Sequence, residues 1–359
     1  MNNRRLLTGL LSAVLLSGGV CSYGQTVMTL EEIFEVAEAN SAQLRPYFAA
    51  EEEAKREISV ARSERLPEIN ASLSLSYIGD GFTTKRNFSD YQRAPIPHLG
   101  DGLAVNLRQP LYTGGAIKNG IELAELKSTA ARYASELQRD NIRFRLTGFY
   151  LDIYKYSNLR TVVENNIAQA RKVLAEMRAR FEQGVALQND ITRYELLVSN
   201  LELQLIRINN TLDILNSNLV VTAGLDPATV IEPDSAILAR ALPSDGESRW
   251  QQEASENAPS LKLARSGVDL RRKAESLVRS RRMPTVGVQA ACTIDGPILV
   301  EVPPINRNLS YWYVGIGVSY DISSLYKTNK SLSKSRAATR QAMDRLEATR
   351  ENVELYIRA

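Results

Sequence analysis

Residues 70–77 read NASLSLSY, and polar and apolar side chains alternate along the whole stretch. Asn70, Ser72, Ser74 and Ser76 form one row; Ala71, Leu73, Leu75 and Tyr77 form the other, which Ile69 extends backwards. Successive side chains of a strand point to opposite faces, so this period of two predicts a β-strand with one oily and one wet face. Three more segments carry the pattern. Leu103, Val105 and Leu107 alternate with Ala104, Asn106 and Arg108. Val286, Val288, Ala290 and Cys292 alternate with Thr285, Gly287, Gln289 and Ala291. Trp312, Val314, Ile316 and Val318 alternate with Tyr311, Tyr313, Gly315, Gly317 and Ser319. Strands of about 10 residues suit the thickness of a bilayer when tilted. Tyr77, Tyr112, Tyr311, Trp312, Tyr313 and Tyr320 fall near strand ends, where an interfacial aromatic girdle belongs. The competing reading of the same alternation is a soluble sandwich with one polar, exposed face. Between the paired strands, residues 79–97 and 295–308 are rich in Gly, Pro and Asp and predict exposed loops.

The strands recur within a longer repeat. Shifted against itself by 217 residues, the separation of Pro67 from Pro284, the chain aligns Ala37 with Ala254, Asn40 with Asn257 and Leu44 with Leu261. It also aligns Arg62 with Arg279, Ser63 with Ser280 and Arg65 with Arg282. Each copy runs short helix, second helix, strand, loop, strand. Thr29 with Glu32 opens the first copy as a capping box, and Ser244 with Glu247 opens the second. The second helices, residues 46–65 and 259–282, each begin with a proline, where no amide donor is needed. Pro67 and Pro284 stop them.

After the second strand the texture changes. Residues 118–183 contain no proline, and their only interior breakers are Gly120 and Gly148. Apolar residues recur at helical spacing: Ile121, Ala124, Ala131, Ala134, Leu137, Ile142, Leu146, Phe149 and Ile153. A helix of that length would reach roughly 100 Å at a rise of about 1.5 Å per residue. Gly184 breaks the pattern, a second helix follows over residues 187–223, and Gly224 with Pro227 ends it.

The chain has 359 residues, 44% hydrophobic and 24% charged, with a net charge of +3, which excludes a disordered protein and a multi-span helical membrane protein. Beyond the N-terminus no run approaches the ~20 apolar residues of a spanning helix. The basic runs at Arg271–Lys273 and Arg279–Arg282 sit on helical pattern and read as solvated faces, not as a nucleic-acid patch. Residues 1–25 predict a secretory signal: Arg4 and Arg5, a short apolar core over residues 6–16, then small residues with cleavage near Gly24 or Gln25. Cys21 offers a lipid-attachment alternative, which Val20 just before it disfavours. With Cys21 removed only Cys292 remains, and no intrachain disulfide can form.

No catalytic constellation is legible. His98, the single histidine, has no Cys or His partner nearby and reads as a surface residue, not a metal ligand. No Gly-rich loop ending in Lys-Ser or Lys-Thr is present, so ATP hydrolysis is not encoded. Ser323 and Ser324 have no evident base. Glu31-Glu32 and Glu51-Glu52-Glu53 fit helix starts and solvated faces better than acid–base work. The expectation is a protein that is not an enzyme and uses no cofactor.

Four strands cannot close a membrane barrel, and an open edge in lipid leaves backbone groups unpaired. The strands are therefore expected to pair with other copies. The expected fold is mainly α with membrane β: a long α-helical barrel plus four strands per protomer of a trimeric 12-stranded β-barrel. The competing reading is a soluble periplasmic coiled-coil scaffold with a small sandwich.

Four stretches carry a family resemblance: SERLPEI at residues 63–69, SRRMPTV at 280–286, LRQPLYTGG at 107–115 and RARFEQGVALQND at 178–190. In their order and spacing the chain resembles the TolC-like outer-membrane efflux protein family of trimeric channel-tunnels. The resemblance implies a passive exit duct in the outer-membrane lipid, with a helical extension into the periplasm. It implies docking on a periplasmic adaptor (membrane fusion protein) and an inner-membrane pump. It also makes Arg180, Phe181, Gly184 and Asp190 the helix reversal near the periplasmic tip and candidates for adaptor contact or gating. Asp190 reads equally as an ordinary helix-start acid. Pro67, Pro284, Gly114 and Gly115 become the strand–helix corners.

Two departures stand out. The second copy has VSYDISSLYK where the first has the paired glycines. Tyr112 to Gly224 covers 112 residues, whereas only 39 follow Tyr320, so about 73 residues of the second copy are expected to be absent, with part of the family's gate. The expected organisation is a signal at 1–25, a first repeat at 26–224, a linker at 225–245 and an incomplete second repeat at 246–359. This predicts a fragment or truncated product that does not seal a tube alone, or a non-functional remnant of a channel gene. Nothing in the sequence names the cargo.

Overall fold

A computed structural model describes residues 25–236, 247–301 and 303–358. The expected signal up to Gly24, the lipid alternative at Cys21 and the cap at Ser244 lie outside the described residues. In chain order the elements are β1 (Gln25–Met28), α1 (Leu30–Asn40), α2 (Arg45–Ser63), β2 (Glu68–Tyr77), β3 (Gly81–Thr83), β4 (Gln92–Ala94) and β5 (Leu99–Tyr112). Then follow α3 (Ala116–Glu182), α4 (Gln188–Ala223), β6 (Val230–Pro233), α5 (Glu247–Asn257), α6 (Pro259–Ser280), β7 (Thr285–Gly296), β8 (Leu309–Ser319) and α7 (Ser324–Arg358). Two compact units divide along 1–42 with 141–242, and 43–140 with 243–359, so α3 contributes residues to both.

In the first unit the capping box at Thr29 is made in full. The Thr29 N–H donates to Glu32 Oε2 at 2.8 Å, and the Glu32 N–H donates to Thr29 Oγ1 at 3.3 Å. α1 buries Ile33 and Ala37, and α4, which it contacts, buries Leu219, Val220 and Ala223 near its C-terminus. Burying one such aliphatic side chain stabilises by about 1.5–3 kcal/mol. On α3 the buried stripe runs Ile142, Leu146, Tyr150, Ile153. Phe149 belongs to that stripe by its spacing in the sequence but is only half-buried, and the fully buried ring is its neighbour. Tyr150 fits there because its hydroxyl is satisfied: it donates to the Met28 carbonyl at 2.9 Å and accepts from the Asp234 N–H at 2.7 Å. Burial holds its phenol above the usual 10.0. The same hydroxyl thereby ties both strands of the parallel β1–β6 pair to the helix, at the end where Met28 lies opposite Pro233.

α3 and α4 then form a helical hairpin. Ala170 and Leu174 pack with Ile191 and Val198, and Val163 and Ile167 pack with Ile208. Arg171–Glu202 at 2.6 Å and Arg178–Glu195 at 2.7 Å flank the seam. Such exposed pairs add about 0–1 kcal/mol each, so the apolar seam dominates.

The second unit holds an antiparallel sheet in the order β2-β5-β7-β8. Helix α2 is tied to α3 by Arg62–Glu125 at 3.0 Å and Lys127–Glu57 at 2.6 Å, and α6 by Lys273–Glu122 at 2.5 Å. The repeat is visible at the level of single hydrogen bonds. In the first copy, Arg65 N–H donates to Arg62 and Leu66 N–H to Ser63; in the second, Arg282 N–H donates to Arg279 and Met283 N–H to Ser280.

The first expected loop contains more structure than its composition suggests. β3 and β4 pair within it, with Gly81 opposite Ala94 and Thr83 opposite Gln92. The Phe82 and Tyr91 rings pack on each other with centroids 4.7 Å apart. The turn closes through Lys85 N–H to Ser89 O at 2.9 Å and places Phe88 and Asp90 at φ 61° and 60°, a left-handed backbone that gives no glycine signal.

Candidate functional site

The register of the sheet sorts the four alternating strands onto common faces. Ile69, Leu107, Ala290 and Val314 stand in one cross-strand line, and Ala71, Val105, Cys292 and Trp312 in another. Directly opposed residues share a face, so all four oily rows coincide. The opposite face carries Glu68, Arg108, Gln289 and Gly315 in one line and Asn70, Asn106, Ala291 and Tyr313 in another. Tyr77, Tyr112 and Trp312 belong to the apolar face. Tyr311 and Tyr313 do not: alternation puts them on the polar face, and they are no part of an aromatic girdle.

Among the described residues neither face is covered by a second layer, although Ala291 on the central strand β7 is buried. Leu73 is 81% exposed and Trp312 75%, and every residue of β2 is exposed. A sandwich would bury its apolar rows against a second sheet. Among the described residues no second layer does so. β2 and β8 are the outer strands, and no described strand pairs with their free edges.

The four corner residues fall where the helices meet the sheet. α2 ends at Ser63 and β2 starts at Glu68, with Pro67 between; α6 ends at Ser280 and β7 starts at Thr285, with Pro284 between. Gly114 and Gly115 turn β5 into α3 at φ 61° and 82°. The turn is capped by Thr113, whose Oγ1 accepts from Ile117 N–H at 3.3 Å.

The four tip residues also come together. The Val185 N–H donates to the Arg180 carbonyl at 3.0 Å and the Gly184 N–H to the Phe181 carbonyl at 2.9 Å, with Gly184 at φ 73°. This paired pattern is a Schellman closure of α3. Asp190 lies in the first turn of α4, and its Oδ2 accepts from the Leu187 N–H at 3.3 Å. Leu187 has no polar side chain, so only this reciprocal half of a capping box is made. Arg180, Val185 and Asp190 line one open depression with Arg193 and Tyr194, and Phe181, Val185 and Leu187 are exposed. His98 stacks on Tyr77 with centroids 5.2 Å apart, and its Nδ1 lies 2.9 Å from the Ile78 carbonyl. No cluster of His, Cys, Asp or Glu suited to a metal occurs among the described residues.

Residues 33–225 match the sequence profile of the family described as Outer membrane efflux protein. The outer membrane efflux protein BepC of Brucella suis biovar 1 (strain 1330) is 25% identical over 186 residues, which are 51% of this chain and 38% of that protein. The chain thus spans about two-fifths of the length of that curated relative. Among solved structures, a membrane protein from Pseudomonas aeruginosa superposes with a TM-score of 0.72 at 16% identity, covering 90% of this chain and 74% of that one. The outer membrane protein VceC from Vibrio cholerae superposes with a TM-score of 0.72 at 14% identity, covering 90% and 75%. At these identities the superpositions show the fold.

Proposed function

The chain belongs to the outer membrane efflux protein family, and from that premise we propose that it is one subunit of a trimeric exit duct that docks on a periplasmic adaptor and an inner-membrane pump. The family places the protein in the outer membrane. The observation that carries the reading is the single-layer sheet with one apolar face and two free edges. Its neighbouring strands all run antiparallel, so β2 and β8 run in opposite senses. β8 of one copy therefore pairs antiparallel with β2 of the next. Three copies give twelve strands, no free edge in lipid, an oily outer face and a polar lumen.

On this reading the long helices lie in the periplasm. α4 keeps Leu196, Leu203, Ile206 and Ile214 exposed, a second apolar row for helices of the assembled wall. Arg180, Phe181, Gly184 and Asp190 form the tip that meets the adaptor or gates the duct. The duct is passive, and the pump supplies the energy.

The test is the mass of the purified full-length protein in detergent, with outer-membrane fractionation of cells. A trimer that dissociates on heating and sediments with outer membrane supports the reading. A monomer that stays in solution without detergent overturns it and favours the scaffold.

A further inference from the structure

We propose that Arg108, Gln289 and Ser319 form a binding site for carboxylate or phosphate groups on passing solutes, at the helix-proximal end of the sheet's polar face. A shallow concavity of about 130 Å³ lies there; Arg108, Thr285, Gly287, Gln289, Gly317 and Ser319 line it from the polar rows, and Val286, Val318, Pro110 and Thr113 complete its edge. Gly287 lies directly opposite Gly317, and Thr285 opposite Ser319. The two facing glycines put no side chain of their own on the floor of the dent, which is bounded at Gly287 by the Gln109 carbonyl oxygen, 3.0 Å from where a β-carbon would stand. A β-carbon at Gly317 would lie 3.4 Å from Gln289 Nε2, so the amide of Gln289 rests over that floor.

Arg108 supplies the charge. It is exposed and makes no ion pair among the described residues. The carboxylate directly across on β2, Glu68, accepts from Asn70 Nδ2 at 3.2 Å instead. A guanidinium presents a planar fork of donors that matches carboxylate and phosphate oxygens, and it keeps its charge at every physiological pH. The Gln289 amide and the Ser319 hydroxyl add neutral donors on the neighbouring strands.

The position gives the site a role. β5 leads through Tyr112 into α3, β7 arrives from α6 and β8 leads into α7, so the dent lies where helices pass into sheet. The inference rests on the trimeric duct proposed above. In that assembly, three copies of Arg108 ring the passage where solute enters the barrel, and anionic solutes are favoured over cationic ones.

Planar-bilayer recording of the purified full-length protein in a potassium chloride gradient tests this. Wild type, Arg108→Lys and Arg108→Gln are compared, with inorganic phosphate then added on one side. The expected result is an equal chloride-to-potassium permeability ratio for wild type and Arg108→Lys, and a ratio at least about threefold lower for Arg108→Gln. Phosphate should reduce the wild-type current and leave the Arg108→Gln current unchanged. Equal ratios and equal phosphate responses in all three proteins overturn the anion site and leave the duct standing. Absence of any conductance in all three overturns the duct, and the site with it.

Discussion

Gly114 lies so close to the end of α6 that a β-carbon on it would stand 2.8 Å from the Ser280 carbonyl oxygen. The corner of the first copy is thus built against the helix end of the second. Gly114 also sits at φ 61°, which costs an L-residue roughly 1–2 kcal/mol. Gly115, at φ 82°, has only Asn119 Nδ2 at 3.5 Å from such a carbon. Gly114→Ala is expected to destabilise by about 2–4 kcal/mol and Gly115→Ala by about 1–2 kcal/mol, strain plus overpacking against strain alone. Urea denaturation in detergent reads the difference; equal losses would show that the corner contact carries no weight.

The two Schellman closures make a second matched pair. Gly184 and Gly224 have φ 73° and 74°. At Gly224 the Leu225 N–H donates to the Val220 carbonyl at 3.0 Å, as Val185 does to Arg180 at the tip. Only the surroundings differ. A β-carbon at Gly184 meets nothing within 4 Å, whereas one at Gly224 meets the Asn40 carbonyl oxygen at 2.6 Å. Gly184→Asn is expected to be near neutral, because asparagine tolerates this backbone, and Gly224→Asn to lose about 2 kcal/mol or more. Helical circular dichroism during thermal unfolding distinguishes them, and a tip variant as damaged as Gly224→Asn would contradict the open tip.

Tyr150 joins α3 to the Met28 and Asp234 backbones through one hydroxyl. Tyr150→Phe keeps the ring and leaves a part-buried N–H and a part-buried carbonyl without this partner, which costs about 1–2 kcal/mol. The phenol's pKa is raised above 10.0 in the folded state by burial, so the neutral form is the one stabilised. That stabilisation is complete below the unfolded value near 10 and is lost as pH rises through the higher folded value. Wild type should therefore lose stability above pH 10 more steeply than Tyr150→Phe. Parallel slopes would exclude the hydroxyl as the titrating clamp.

The corners were legible in the sequence because proline acts locally. Pro67 and Pro284 remove a donor and restrict the preceding residue whatever lies around them. The four strands were legible because a period of two needs no knowledge of partners. Phe149 carries the apolar signal of the helical stripe, whereas the burial of Tyr150 depends on two hydroxyl partners that lie 122 and 84 residues away. The β3–β4 hairpin was hidden because Phe88 and Asp90 take a left-handed backbone without glycine. Asp190 could be placed at a helix start, but its bond to the Leu187 N–H follows from Leu187 lying at the cap. Arg108 was only a polar member of an alternating row. Its meeting with Gln289 depends on register between strands drawn from both halves of the chain.

The assignment of the faces predicts opposite tolerance at adjacent positions of one strand. Leu73 lies near the middle of β2 on the oily face, opposite Leu103, and Ser72 lies beside it on the polar face, opposite Ala104. In a soluble sheet with both faces wet, lysine would be equally welcome at either place. In a barrel wall, lysine at a lipid-facing midpoint costs about 2–4 kcal/mol, whereas a lumenal lysine stays hydrated. Leu73→Lys is expected to reduce folding into phospholipid vesicles, read by urea titration, by that amount. Ser72→Lys should fold within about 0.5 kcal/mol of wild type, as a solvated substitution does. Both residues are exposed in the isolated chain, so burial within one protomer cannot produce the contrast. Only a bilayer against one face can, and equal folding of the two variants would remove the lipid from that face.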